Sequence, residues 1–267
     1  MFEIPSERLP PGFADTVDEP PSEPVEPRPA ATTVLLRDGA RGLEVLLMRR
    51  HRQSGFVPGA WVFPGGRVDD ADADPALIDR VRGLAAELRP PAPFWAAALR
   101  ELFEETGVLL ARDGHGRWAP DAASDPELDR CRADLLEDRT GLHTVLATLD
   151  LTADIGPVVH VAHWVTPVVE ARRYDTHFFA AALPEGRSAT PDPREMTRAA
   201  WLRPAEALER FERGELPMVF PTVRTLETLV DHGSARDVLD TFRGRTIDRI
   251  LPRLVRTETG VGIVVDP

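Results

Sequence analysis

The chain of 267 residues has one cysteine, Cys131, and one tyrosine. A single thiol excludes an intramolecular disulfide and, with no Cys-x-x-Cys pair, a sulfur-based zinc site. Lysine is absent: all 32 basic residues are arginine. Lysine Schiff-base chemistry and a Walker-type phosphate loop are thereby excluded, and guanidinium is left as the only fixed cation for an anionic ligand. No apolar run approaches the roughly 18–20 residues that cross a bilayer. The opening stretch MFEIPSERLPPGF has neither a basic nor an apolar leader region. No membrane partner is expected, and the lone thiol fits a reducing, cytoplasmic setting. Positive charge is in deficit, 32 Arg against 44 acids for a net charge of −12, which argues against a nucleic-acid partner.

What is present describes a globular protein long enough to bury its own core. Residues 1–29 hold eight Pro, seven acids and two Arg, and read as an extended, disordered tail. Strands are expected over 31–37 and 43–50, joined by the turn Asp38-Gly39-Ala40-Arg41-Gly42, and over 61–63, ending on Pro64-Gly65-Gly66. Leu77, Val81, Leu84 and Leu88 fall at helical spacing, with Asp74 placed to cap and Pro75 at the first helical position, so a helix is expected over 75–89. Past a Pro-rich break, a second helix is expected over about 94–106, stopped by Gly107. A strand over 108–111, two helices within 126–149, strands over 158–165, 176–183 and 201–202, and helices near 204–213 and 221–231 complete the reading. This irregular alternation predicts one mixed α/β domain over 30–267.

The chemistry is concentrated on the second helix. Trp95, Leu99, Leu102 and Phe103 form its apolar face, while Glu101, Glu104 and Glu105 gather on the opposite side, with Arg100 next to Glu104. Glu101 and Glu105 are like charges at i,i+4, a pairing that costs a few tenths of a kcal/mol on an exposed helix. A bare E-x-x-E-E is more often a solvated face than a site. Here it follows Gly65-Gly66, which lets backbone approach a ligand closely, and it carries an arginine able to hold the carboxylates in register. Carboxylates at this density suit Mg2+ or Mn2+.

Gly66 and the run Arg100-Glu101-Leu102-Phe103-Glu104-Glu105-Thr106-Gly107-Val108 resemble the Nudix hydrolase box, G-x5-E-x7-R-E-U-x-E-E-x-G-U with U a bulky apolar residue. The second half of that pattern is complete. Gly66 and Arg100 stand 34 positions apart, about 20 more than the pattern's own spacing, so an insert over about 70–93 divides it. The first acid of the box has no clear counterpart: Asp72 stands six after Gly66, and Ala92 eight before Arg100. An insert at this place, together with Trp164-Val165-Thr166-Pro167 and Arg172–Phe179, is similar to a coenzyme A diphosphatase branch of the family. The resemblance implies a Nudix α/β/α sandwich with a mixed sheet, a helical insert in the box and extra C-terminal helices. It implies hydrolysis of a phosphoanhydride in a small diphosphate substrate, coenzyme A or an acyl ester first. ADP-ribose or another nucleoside diphosphate derivative is the alternative, and a nucleotide-binding module without activity the other. It also makes Glu101, Glu104 and Glu105 the metal ligands and Arg100 their orienting residue. Glu195, six before Trp201, becomes an additional acid for metal or base work.

Arg49 and Arg50, Gly65 and Gly66, and Arg173 are further candidates for contact with substrate phosphates, with solvated charge the other reading of Arg49 and Arg50 and a loop-fixing ion pair the other reading of Arg173. His160 and His163 alternate with apolar residues on a strand and read as structural, a histidine pair without a matching carboxylate being weak metal evidence. Cys131 lines up with Leu128 and Leu135 and reads as core. The sequence does not set the oligomeric state, and a homodimer stays open.

Overall fold

The computed structural model describes residues 2–9, 12–19, 21–51, 57–84, 88–194 and 196–265. In chain order the elements are β1 (Phe2–Pro5), α1 (Phe13–Asp18), β2 (Arg28–Gly39), β3 (Gly42–Arg50), β4 (Trp61–Val62), β5 (Gly65–Arg67), α2 (Pro75–Ile78) and β6 (Val81–Arg82). Then come α3 (Ala92–Thr106), β7 (Ala111–Arg112), α4 (Pro126–Leu136), α5 (Leu142–Thr148), β8 (Thr152–Asp154), β9 (Val158–Val165) and β10 (Tyr174–Ala182). The chain finishes with β11 (Met196–Leu202), α6 (Pro204–Glu212), α7 (Phe220–Glu227), α8 (Ala235–Phe242), β12 (Arg249–Ile250), β13 (Arg253–Arg256) and β14 (Gly260–Val264).

The main sheet runs β11-β3-β2-β10-β9-β12, with β4 on β3 and β5 on β2. It is mixed, because β10 lies parallel to β2 and β12 parallel to β9 while the other pairs are antiparallel. The strand period of two sorts its side chains into two cores. Leu35, Leu46, Met48, Phe179 and Ala181 pack on one face with Trp95, Leu99, Leu102 and Phe103 of α3. Val34, Leu36, Val45, Leu47, Phe178 and Ala180 pack on the other with Ala207, Val223, Leu226 and Val238 of the C-terminal helices. A sheet covered on both faces reads as near-continuous apolar runs, as in Val34–Leu36 and Val45–Met48. The result is the expected α/β/α sandwich.

Three expectations are corrected. The segment expected as a tail is folded back: β1 pairs antiparallel with β14, Arg256 bonds Asp15 and Asp18 of α1, and Phe2 stacks on Phe211. Its prolines break regular structure without removing the apolar anchors Phe2 and Ile4. The helix expected over 75–89 is one turn, α2, after which Val81–Arg82 pairs with β8; residues 85–87 lie outside the described residues. Gly83, at φ 96°, is incompatible with a helix continuing through it. The strand expected over 108–111 is only β7, at 111–112. Sequence periodicity also missed α8, which Ser234 caps by accepting from the Asp237 amide at 3.1 Å.

Candidate active site

α3 starts with Pro93 in its first turn and ends at Gly107, whose left-handed φ of 72° lets its amide donate to the Phe103 carbonyl at 2.8 Å. Its apolar face sits on the sheet. Its acidic side meets β5 and the 3-10 turn Asp70–Ala73, so this side is covered rather than solvated. Glu105 is 4% exposed and Arg100 7%, which excludes the bland reading of a solvated charge run.

Arg100 is the hub. Its Nε and Nη2 donate to the two carboxylate oxygens of Asp72, each at 2.9 Å. Its Nη1 donates to Glu101 at 2.9 Å and to Glu104 at 3.1 Å, and Nη2 also reaches the Arg67 carbonyl at 2.8 Å. Asp72 is fully buried and accepts a further bond from the Asp69 amide at 2.9 Å. On the β5 side, the Gly65 amide donates to Glu105 at 3.0 Å. A Cβ on Gly66 would lie 2.3 Å from a carboxylate oxygen of Glu101. The two glycines therefore let the strand lie directly on the carboxylates.

These contacts set the charge states. Burial pushes the Glu101 and Glu104 carboxyls up, Glu104 to about 7; Arg100 pulls both down in part, and the neighbouring acids raise them again. Burial alone would lower the Arg100 pKa, but the Asp72 hydrogen bonds and the surrounding carboxylates more than offset it, so the guanidinium stays charged. Asp72, Glu101 and Glu104 converge on one cation with Glu105 alongside, an excess of negative charge on hard oxygen donors. That donor set fits a divalent cation.

The far end of α3 is fixed by other elements. Arg132 of α4 donates through Nε to the Glu104 carbonyl at 2.9 Å. The amides of Thr190 and Asp192 donate to the carbonyls of Thr106 and Glu105 at 2.7 and 2.9 Å. The segment leading to residue 195 is thus tethered to the acidic helix; Glu195 itself lies outside the described residues.

Arg49 and Arg50 end β3, next to β4 and the glycine-rich segment, and Arg49 donates to the Gly59 carbonyl at 3.2 Å. Arg173 takes the loop-fixing role. It is buried, and its guanidinium donates to the carbonyls of Thr166 and Val25 at 3.1 and 2.6 Å. It ties the 166–174 turn to the N-terminal segment.

The histidines come with partners that the sequence did not reveal. His163 is the cross-strand neighbour of His177 and touches Asp175; His177 Nδ1 is 3.0 Å from His160 Nε2. Burial, then the neighbouring histidines, hold His160 at about 4 and His177 at about 3, so both imidazoles are neutral at pH 7.

Comparison with known proteins agrees with this geometry. The profile of the NUDT19 Nudix domain matches residues 90–229. The acyl-coenzyme A diphosphatase NUDT19 of Gallus gallus is 31% identical over 264 residues, covering 78% of this chain and 69% of its own. The Homo sapiens protein of the same name is 29% identical, covering 83% and 70%. A crystal structure of a Nudix hydrolase from Alicyclobacillus acidocaldarius superposes with a TM-score of 0.69 at 34% identity, over 82% of this chain and 97% of that one. The chain belongs to the Nudix hydrolase family. Nudix enzymes are pyrophosphohydrolases that work with divalent metal ions, and this one has its box divided by an insert. Asp72 lies at the Gly66 end of that insert, and folding returns it to Arg100. Sequence reasoning left the first acid of the box unassigned because the count from Arg100 crosses the insert and lands on Ala92. The count from Gly66 stops at the start of the insert and lands on Asp72.

Proposed function

We propose that this Nudix hydrolase cleaves the phosphoanhydride of coenzyme A or its acyl esters, releasing 3′,5′-ADP and a phosphopantetheine. The observation that carries the hydrolytic reading is the covered acidic side of α3, where Arg100 holds Glu101 and Glu104, and Gly65 and Gly66 lie on Glu105 and Glu101. The coenzyme A substrate rests on the relatives named acyl-coenzyme A diphosphatase.

Glu101, Glu104 and Glu105 would hold Mg2+ or Mn2+, which when bound supplies neutralisation of the diphosphate and stabilisation of the leaving phosphate. Arg100, pinned by Asp72, keeps the carboxylates of Glu101 and Glu104 at fixed positions, so that little reorganisation is left for the reaction itself. Gly65 and Gly66 bring backbone against the cluster with no side chain in the way. Arg49 and Arg50 are assigned to the substrate phosphates, the guanidinium fork matching phosphate geometry. The proton of the attacking water goes to a box glutamate or to Glu195. A cytoplasmic setting is proposed on the lone thiol alone.

The deciding assay is a panel of diphosphates with Mg2+ and Mn2+. Coenzyme A and acyl-coenzyme A should give the highest kcat/KM. Turnover of coenzyme A no better than that of ADP-ribose would move the substrate to the second class, the nucleoside diphosphate derivatives.

A further inference from the structure

The β9–β10 pair carries donors that phosphoanhydride chemistry does not use. Among the described residues, His163, Asp175 and His177 are the one group of three His, Cys, Asp or Glu whose donor atoms all lie within 4.8 Å of one another. Asp175 and His177 are two apart on β10 and so share a face, and His163 faces His177 from β9. Their imidazoles stack with centroids 3.7 Å apart. A bulge adds His160 to the set. Phe178 pairs with Ala162 and Phe179 with His160, leaving Val161 without an opposite number. Val161 and Ala162 both turn into the core on the far face, and His160 and His163, three apart, come to the same side.

We propose that His163, Asp175 and His177 form a second metal site, for one late first-row divalent cation with Zn2+ foremost, and that His160 supports it by holding the His177 ring. Two imidazole nitrogens with one carboxylate oxygen are a borderline-soft set, suited to zinc and its neighbours; the carboxylates of the box are the hard set suited to magnesium or manganese. Three protein ligands leave a fourth position open. The contact of His177 Nδ1 with His160 Nε2, 3.0 Å, gives His177 an outer partner at the place where a ligating histidine more often has a carboxylate, a carbonyl or water. Arg249 of β12, 3.7 Å from the second Asp175 oxygen, fixes that carboxylate from the other side. His163 and Asp175 are partly exposed, at 12% and 27% of their side chains, so an ion can reach them.

The site is separate from the box. Gly66, Ala31, His177 and His163 form one row across β5, β2, β10 and β9. His177 is therefore two strand spacings, about 10 Å, from Gly66, the residue that lies on Glu101. Both sites sit on the α3 face of the sheet, where Phe94 of the first helical turn packs edge-on against His177 at 4.4 Å. A bound ion would staple β9 to β10 beside the first turn of the helix that carries the box.

The test uses Co2+ as a spectroscopic stand-in for zinc on chelator-stripped, full-length protein. One equivalent should develop visible d–d bands, and Zn2+ should displace them. The bands should vanish in His163→Ala and in the near-isosteric Asp175→Asn, and persist in Glu101→Gln and Glu105→Gln. Zn2+ affinity should fall at least a hundredfold in the ligand variants, and by about 10–100-fold in His160→Gln, the range for loss of a supporting partner. Asp175→Asn keeps the test decisive if His163→Ala fails to fold. Absence of bands, or bands that follow the box variants instead of His163 and Asp175, overturns the proposal.

Discussion

Asp72→Asn is the most informative single change, because it removes one charge and almost no volume from the centre of the box. The aspartate accepts three hydrogen bonds: two from Arg100 and one from the Asp69 amide, all at 2.9 Å. An asparagine can place its one oxygen toward the guanidinium or toward the amide, and its NH2 then faces another donor. At about 1.5–3 kcal/mol for each charge-assisted bond, the loss should be about 3–5 kcal/mol, as expected when one member of a buried ion pair is removed. For a chain of this size that is a Tm lower by roughly 10 °C. Urea unfolding in the ion-free protein measures it. A double-mutant cycle with Arg100→Met isolates the pair: the double variant should be less damaged than the sum of the singles by about 2 kcal/mol or more. Turnover should fall as well, since Arg100 without Asp72 is no longer held over Glu101 and Glu104. A loss of stability below about 1 kcal/mol, or simple additivity with Arg100→Met, would refute the idea that Asp72 anchors the cluster.

Glu105→Gln should leave the protein folded by circular dichroism and remove most turnover, whereas a binding module without activity would have no turnover to lose. The two glycines should separate stability from activity. A Cβ at Gly65 meets the Ala31 carbonyl oxygen at 2.5 Å, which is backbone in the central sheet, so Gly65→Ala should lower Tm sharply. The three atoms nearest a Cβ at Gly66 all belong to the Glu101 carboxylate, a side chain and not backbone, so Gly66→Ala should cost less Tm than Gly65→Ala while displacing Glu101 from Arg100 and raising the metal concentration needed for half-maximal rate. Glu104 gives the pH test. Its carboxyl is raised from the ordinary 4.5 to about 7 in the fold, so the folded state holds the proton more tightly than the unfolded state. Ion-free stability relative to Glu104→Gln should therefore fall as pH rises from about 4.5 to about 7, by up to about 3 kcal/mol, and level off above. Urea titrations in chelator across that range check the sign, and a curve that rises with pH would show that the carboxyl is not buried as described.

Much of the site was legible because it lies on one helix. Arg100, Glu101, Glu104 and Glu105 are fixed relative to each other by the helical repeat, and Gly107 marks where the helix stops. The alternation of elements gave a mixed α/β domain and the resemblance the sandwich; the structure adds the physical reason, since β2, β3 and β10 are apolar on both faces and such strands need helices on both sides. What was missed depends on chain reversals that no local pattern encodes. The strand β1 owes its place to β14, more than 250 residues later in the chain, so its prolines and acids dominated the reading. The one-turn α2 ends where β6 joins β8, a pairing across some 70 residues. Arg173 showed an arginine in a motif-like stretch, but not the two carbonyls that bury it.

The histidines show the limit most sharply. H-x-x-H on a regular strand points its two imidazoles to opposite faces, and on that arithmetic His160 and His163 do not meet. One extra residue in β9 reverses the conclusion, because a bulge shifts the alternation by one and brings both rings to the side where β10 presents Asp175 and His177. The missing carboxylate was in the sequence all along, twelve residues after His163, but only the antiparallel return of the chain makes it a neighbour. The same physics recovers Asp72 across the insert. In both places topology supplies the acid, Asp72 to the box helix and Asp175 to the histidine strand, and neither local pattern shows which acid it will meet.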